Sequence, residues 1–182
     1  MLKPKTFIKA GRKRVVVSAA VVLSVMIAGS AAICGLRINT SYSLPMGVYV
    51  RTSDPRAGLI EFCPEGRFAA ESSARGYRTA GFCPDGAVPL LKPVVAKPGD
   101  TVAVSAAGIA VNGRPLPQTA PLARDRRGRA LEPYTTGFYA VAEGTVWVAS
   151  SYSRGSYDSR YMGPIPSRLI RARLKPFWTF SR

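Results

Sequence analysis

The stretch from Val15 to Leu36, VVVSAAVVLSVMIAGSAAICGL, constrains this chain more than any other feature: it is 22 residues with no charge and no proline. A helix needs about 20 such residues to cross the hydrocarbon core of a bilayer, where every backbone polar group must be satisfied within the segment. The run therefore predicts one transmembrane anchor. Lys3, Lys5, Lys9, Arg12, Lys13 and Arg14 precede it without an intervening acid, and only Arg37 directly follows it. That asymmetry places the N-terminus in the cytoplasm and the rest of the chain across the membrane, in the periplasm of a bacterial inner membrane. The expected division is a basic tail over 1–14, an anchor over 15–36 and a folded domain over 37–182. The competing reading is a cleaved signal peptide ending near Ser30-Ala31-Ala32, but the run exceeds the roughly 7–15 residues of an ordinary signal-peptide core. Cys34 follows Ile33 rather than the small residue a lipobox requires, so it reads as a helix-end thiol.

The formal charge of +16 would suit a nucleic-acid binder. Six of those cations belong to the tail, however, and the other 20 are scattered among 10 acids without a dense stripe or interleaved aromatics. They read as an exposed basic face, and no nucleic-acid partner is expected. The chain contains no histidine. This excludes a Ser-His-Asp triad, a Cys-His pair and histidine-held metal, so no metal or cofactor is expected and a hydrolytic base must be a carboxylate or a lysine. P-loop, GxGxxG and GxSxG motifs are also missing. Cys63 and Cys83 both occur as Phe-Cys-Pro. In an oxidising compartment such a pair reads as a disulfide, worth about 3 kcal/mol through closure of the loop between them.

Beyond the anchor the pattern is short, β-rich and punctuated. MGVYVRT (46–52) and GLIEFC (58–63) read as strands around an Asp54-Pro55 turn, and LLKPVVAK (90–97) as a β-branched stretch interrupted by Pro93. DTVAVS and IAVNG form one hairpin, and GFYAVAEGTVWVAS (137–150) a second that turns at Glu143-Gly144. Between them lies a Pro- and Arg-rich exposed or mobile loop, 114–133. RLIRARL (168–174) suits a half-exposed strand, and the segment between the cysteines suits a short helix. The expectation is a mainly antiparallel β domain on a membrane stalk.

Two clusters look like chemistry. NTSYSLPMGVYV (39–50) packs hydroxyls around a proline directly after the anchor. By itself it is turn material, with Ser41 and Ser43 both open as nucleophiles. Lys92 sits among Leu90, Leu91, Val94 and Val95, where lost hydration lowers the pKa of an ammonium and frees a neutral amine for general-base work. The ordinary alternative is a strand lysine that snorkels to water.

Read in order, SYSLPMGVY, LLKPVVAKPGD, TVAVSAAGIAVNGRPL and SYDSRYMGPIP resemble the type I signal peptidase superfamily of serine proteases with a Ser-Lys dyad. SLPMGVY, the paired FCP and DSRYMGPI are most similar to its TraF branch, the conjugative-transfer peptidases that mature pilin. The resemblance runs from the basic N-terminus to Pro166. It implies a barrel-like antiparallel catalytic fold, Ser43 as nucleophile, Lys92 as general base and Ser41 as an oxyanion donor. It further implies that Ser156 orients the lysine amine, that Asp158 and Arg160 form a supporting ion pair, and that segment 63–83 is a branch-specific insertion. Gly99-Asp100 and Asn112-Gly113 correspond to turns. The sequence departs from the housekeeping enzymes in having only Leu44 between Ser43 and Pro45, and Pro93 where an arginine follows the lysine. The implied substrate is a pilin precursor bound as an extended strand at the bilayer surface, within a conjugative transfer apparatus, with cyclisation of the pilin as a further outcome. A general signal peptidase and a non-enzymatic assembly factor are the alternatives.

Overall fold

The computed structural model describes residues 17–18 and 35–180. The tail and nearly all of the proposed anchor, Cys34 and the Ser30-Ala31-Ala32 site included, lie outside them. Among the described residues no helix is long and apolar enough to cross a membrane. The chain divides into units Met1–Arg37 and Ile38–Arg182.

Its sequence of elements is β1 (Leu36–Asn39), β2 (Met46–Thr52), β3 (Leu59–Phe62), α1 (Gly66–Ala74), β4 (Leu90–Ala96), β5 (Thr101–Ser105), β6 (Gly108–Val111), β7 (Arg114–Pro115), β8 (Gly137–Ala140), β9 (Thr145–Val148), α2 (Ser159–Met162), β10 (Ile165–Pro166) and β11 (Ile170–Phe180). One sheet has the order β1-β2-β11-β3-β4-β9-β10 and the other β7-β6-β5-β8. The pairings β2–β11, β11–β3, β3–β4, β4–β9 and β9–β10 are all antiparallel. The fold is mainly antiparallel β as expected. The larger sheet ends at β1 and β10, which do not pair among the described residues, so it is open rather than closed into a barrel.

Strand β9 lines two of the three buried clusters found among the described residues. Val146 and Val148 enter a cluster with Ile60, Phe62, Tyr157 and Tyr161, whereas Trp147 and Ala149 enter one with Val102, Val104 and Ile109. Alternate residues thus bury opposite faces, which explains the unbroken apolar run VWVA. It also explains a correction. The expected hairpin over 137–150 keeps its turn, with Gly144 at φ 74°, but β8 pairs with β5 and β9 pairs with β4 and β10. Burial of both faces of β9 outweighs local pairing. The other hairpin, β5–β6, forms as expected.

A second correction concerns Pro93, which does not interrupt its strand. It lies inside β4 opposite Leu59. The ladder continues around it: Val94 N–H donates to Gly58 O at 2.7 Å and Ala149 N–H donates to Pro93 O at 3.2 Å. The proline forfeits only its own donor.

Helix α1 lies within the loop closed by the Cys63–Cys83 disulfide, whose Cα atoms are 5.5 Å apart. The strand expected over 168–174 begins at Ile170, after a 3-10 turn at Ser167–Leu169, and runs to Phe180 between β2 and β3.

Candidate active site

Strand β4 supplies Lys92 from the middle of the larger sheet, opposite Ile60 of β3. The side chain is only 3% exposed. Its Nζ is hydrogen-bonded to Ser43 Oγ at 2.6 Å and to Ser156 Oγ at 2.9 Å. Burial pushes the Lys92 pKa down from 10.5 to about 8; the negative charge of Asp158 pulls it up and the positive charge of Arg160 pulls it down. At that value a substantial fraction of the amine is neutral near physiological pH and able to accept a proton.

Ser43 sits in the turn between β1 and β2, and side chains hold that turn. Asn39, itself buried, donates from Nδ2 to the carbonyls of Ser41, Leu44 and Pro45 at 3.0–3.3 Å. Its Oδ1 accepts from Ser41 N–H at 3.2 Å and from the Ser41 hydroxyl at 2.8 Å. Tyr49 O–H donates to Pro45 O at 2.7 Å. The hydroxyl-rich segment is a turn, as its composition suggests, with an asparagine at its hub. The structure thus brings Ser43, Lys92 and Ser156 together and engages the Ser41 hydroxyl with Asn39.

Asp158 and Arg160 form a buried ion pair, with Arg160 Nε donating to Asp158 Oδ1 at 2.8 Å and Nη2 to Oδ2 at 3.1 Å. Two charges removed from water persist only when their remaining donors and acceptors are satisfied. Here the Arg160 fork also donates to Ser150 O, Gln118 O and Arg154 O. Asp158 accepts from Ser150 N–H at 3.0 Å and caps α2 by accepting from Arg160 N–H. The pair is structural in its contacts, unlike an exposed pair worth about 0–1 kcal/mol.

Ser150 links that pair to the serine turn, and sequence reasoning missed it. It is fully buried, its N–H and carbonyl are held by Asp158 and Arg160, and its hydroxyl donates to the Ser43 carbonyl. Asn39 was missed as well. The turn-forming tendency of Asn beside Ser and Pro is a usable signal for it, but nothing local marks Ser150 among the serines of VASSYS.

The family model described as signal peptidase, peptidase S26, matches residues 13–178. The chain belongs to this signal peptidase family. Within it, the TraF relatives are near. A plasmid transfer protein TraF of Escherichia coli is 35% identical over 161 residues, covering 86% of this chain and 90% of that protein. A probable conjugal transfer protein TraF of Sinorhizobium fredii (strain NBRC 101917 / NGR234) is 42% identical over 140 residues, 73% and 71% of the two chains. A solved signal peptidase I from Enterococcus faecalis V583 aligns with 19% identity and a TM-score of 0.35, over 69% of this chain and 99% of that one. Membership in the signal peptidase S26 family makes this a serine peptidase of the signal peptidase type, on the TraF branch.

Proposed function

We propose that the protein is a membrane-anchored serine endopeptidase that processes a pilin precursor of a conjugative transfer apparatus. One observation carries the catalytic part: a buried lysine amine 2.6 Å from the hydroxyl of Ser43. The anchor is the apolar run 15–36, which sets the domain on the periplasmic face of the inner membrane, and the pilin substrate follows from the TraF likeness.

Neutral Lys92 takes the Ser43 proton as Oγ attacks the scissile carbonyl. The oxyanion so formed is met by the Ser43 N–H and by the Ser41 hydroxyl, which turns away from Asn39 by a χ1 rotation. An oxyanion donor of this kind is typically worth about 3–4 kcal/mol. Lys92 then returns its proton to the departing amine, leaving a Ser43 ester. Water, deprotonated by Lys92, cleaves that ester to a linear product. Alternatively, the amino terminus of the same pilin, held near the ester at high effective molarity, closes a cyclic one. Ser156 keeps the lysine amine aimed at Ser43, while Asp158 and Arg160 support the site without reacting.

The test is intact-mass analysis of a pilin precursor co-expressed with the wild-type protein, Ser43→Ala or Lys92→Met. Both variants should lose maturation by roughly 10⁴-fold or more, the scale seen when a catalytic nucleophile or base is removed. Processing that survives in either one defeats the dyad, and survival in both favours an assembly factor. A mature mass lighter by one water than the linear chain identifies cyclisation.

A further inference from the structure

The Pro- and Arg-rich stretch 114–133 reaches the serine turn through Arg126. The Arg126 guanidinium lies over the ring of Tyr42, 5.1 Å from its centroid, and Tyr42 is the residue between Ser41 and Ser43. The neighbouring residues fix the loop that carries it. The Asp125 carboxylate accepts from the N–H groups of Arg127 and Arg129 at 2.9 and 3.0 Å, from Arg129 Nε at 2.7 Å and from the Tyr77 hydroxyl at 2.7 Å. The Tyr77 hydroxyl, followed by the Arg129 N–H and guanidinium, holds that carboxyl well below its ordinary range. Arg75 Nη1 donates to Ala130 O at 2.9 Å, and Leu122 N–H donates to the Tyr161 hydroxyl at 2.9 Å. Arg75 and Tyr77 belong to the segment between Cys63 and Cys83, so the disulfide-bounded insertion braces this loop.

The segment 124–129, RDRRGR, has one acid against four arginines, and that acid is committed to the root of the loop. Arg126 and Arg127 are exposed, and none of the ion pairs among the described residues includes either. A cation is therefore held over Tyr42, the residue next to Ser43, with no carboxylate partner among the described residues. Stacking on an aromatic uses the face of a guanidinium and leaves the N–H donors at its edge, in the fork geometry that matches a carboxylate. Because the ring beneath it pre-orders the side chain, less rotamer freedom is lost when a ligand binds.

We propose that Arg126, seated on Tyr42, is a specificity-determining residue that takes an acidic side chain of the substrate close to the scissile bond. The proposal rests on Ser43 being the nucleophile. An anionic lipid headgroup shares the charge, but the position of Arg126 over the residue next to Ser43 favours the peptide.

The test uses the full-length protein in detergent and synthetic peptides in which Glu, Gln and Lys are scanned at three positions on each side of an alanine-flanked bond. Wild type should cleave the Glu peptide over the Gln peptide about tenfold at one of these positions, as a charge-assisted hydrogen bond predicts, and less so at high salt. Arg126→Gln should erase that preference, Arg126→Glu should transfer it to the Lys peptide, and Arg114→Gln, on the exposed strand β7, should leave it intact. Transfer of the preference shows that the variant is folded. An identical Glu-to-Gln ratio in wild type and Arg126→Gln overturns the proposal while leaving the peptidase intact. So does a defect of Arg126→Gln confined to binding of phosphatidylglycerol vesicles. If Ser43→Ala cleaves the same bonds as wild type, the nucleophile assignment fails, and this proposal falls with it.

Discussion

Lys92 and Ser43 meet at 2.6 Å, yet they are delivered by opposite kinds of structure. Lys92 stands on a strand laddered to β3 on one side and β9 on the other, so its position is shared among many backbone bonds and no single side chain controls it. Ser43 stands on a turn held from Asn39, Tyr49 and Ser150 by side-chain bonds. A strand is redundant, whereas a turn of this kind has a few individually replaceable supports. Substitutions on the two sides should therefore separate, with those in the sheet framework costing stability and those under the turn costing rate.

The largest effect is expected where the framework carries buried charge. Asp158→Ala leaves the Arg160 guanidinium, 1% exposed, without its counter-ion. Removing one member of a buried pair costs about 3–5 kcal/mol, which for a domain of this size lowers Tm by roughly 10 °C in a thermal melt. A melt unchanged within a degree would show that the pair is dispensable to the framework.

Asn39→Ala tests the other side. It removes five hydrogen bonds within the turn, but the segment is partly exposed and water can replace several of them. The stability loss should be about 1–2 kcal/mol. The rate should fall more, by about 100-fold in kcat, because small displacements of a reacting group are costly. If kcat holds while Tm falls as far as in Asp158→Ala, the division between strand and turn is wrong.

The same division decides what was legible in the sequence. Lys92 could be read because an ammonium inside LLKPVV contradicts its surroundings, and β2, β3, β5 and β6 because short β-forming runs between turn residues are a local signal. The separate partners of β8 and β9 could not be read, because the apolar run of β9 gives no hint that its two faces serve different clusters. Nor could Ser150, which meets Ser43 from 107 positions away through a hydroxyl no different from its neighbours in composition. The roles of Ser43, Ser156, Asp158 and Arg160 came from family resemblance. Their distances supply the physical content: Ser156 touches the amine directly, and the ion pair reaches the serine turn through Ser150.

The smallest predicted effect is a displacement along the pH axis. Burial holds Lys92 near 8 in the fold against an ordinary 10.5, and the charge on Asp158 works against burial. If the neutral amine is the base, kcat/KM should rise about tenfold per pH unit below 8 and level off above it. Stability should have the same sign. Between about 8 and 10.5 the unfolded chain binds more protons at this residue than the folded one, so this group's contribution makes the fold more stable as pH rises through that window and gives no gradient below it. Asp158→Asn, assayed on the folded fraction, removes the charge that raises the lysine pKa, so the rising limb should move to lower pH. A limb that stays in place means Asp158 acts on the framework alone, and one that moves to higher pH contradicts the electrostatic account. Asn39→Ala should leave the limb where it is while lowering the plateau, since the turn positions Ser43 without setting the proton affinity of the strand-borne amine.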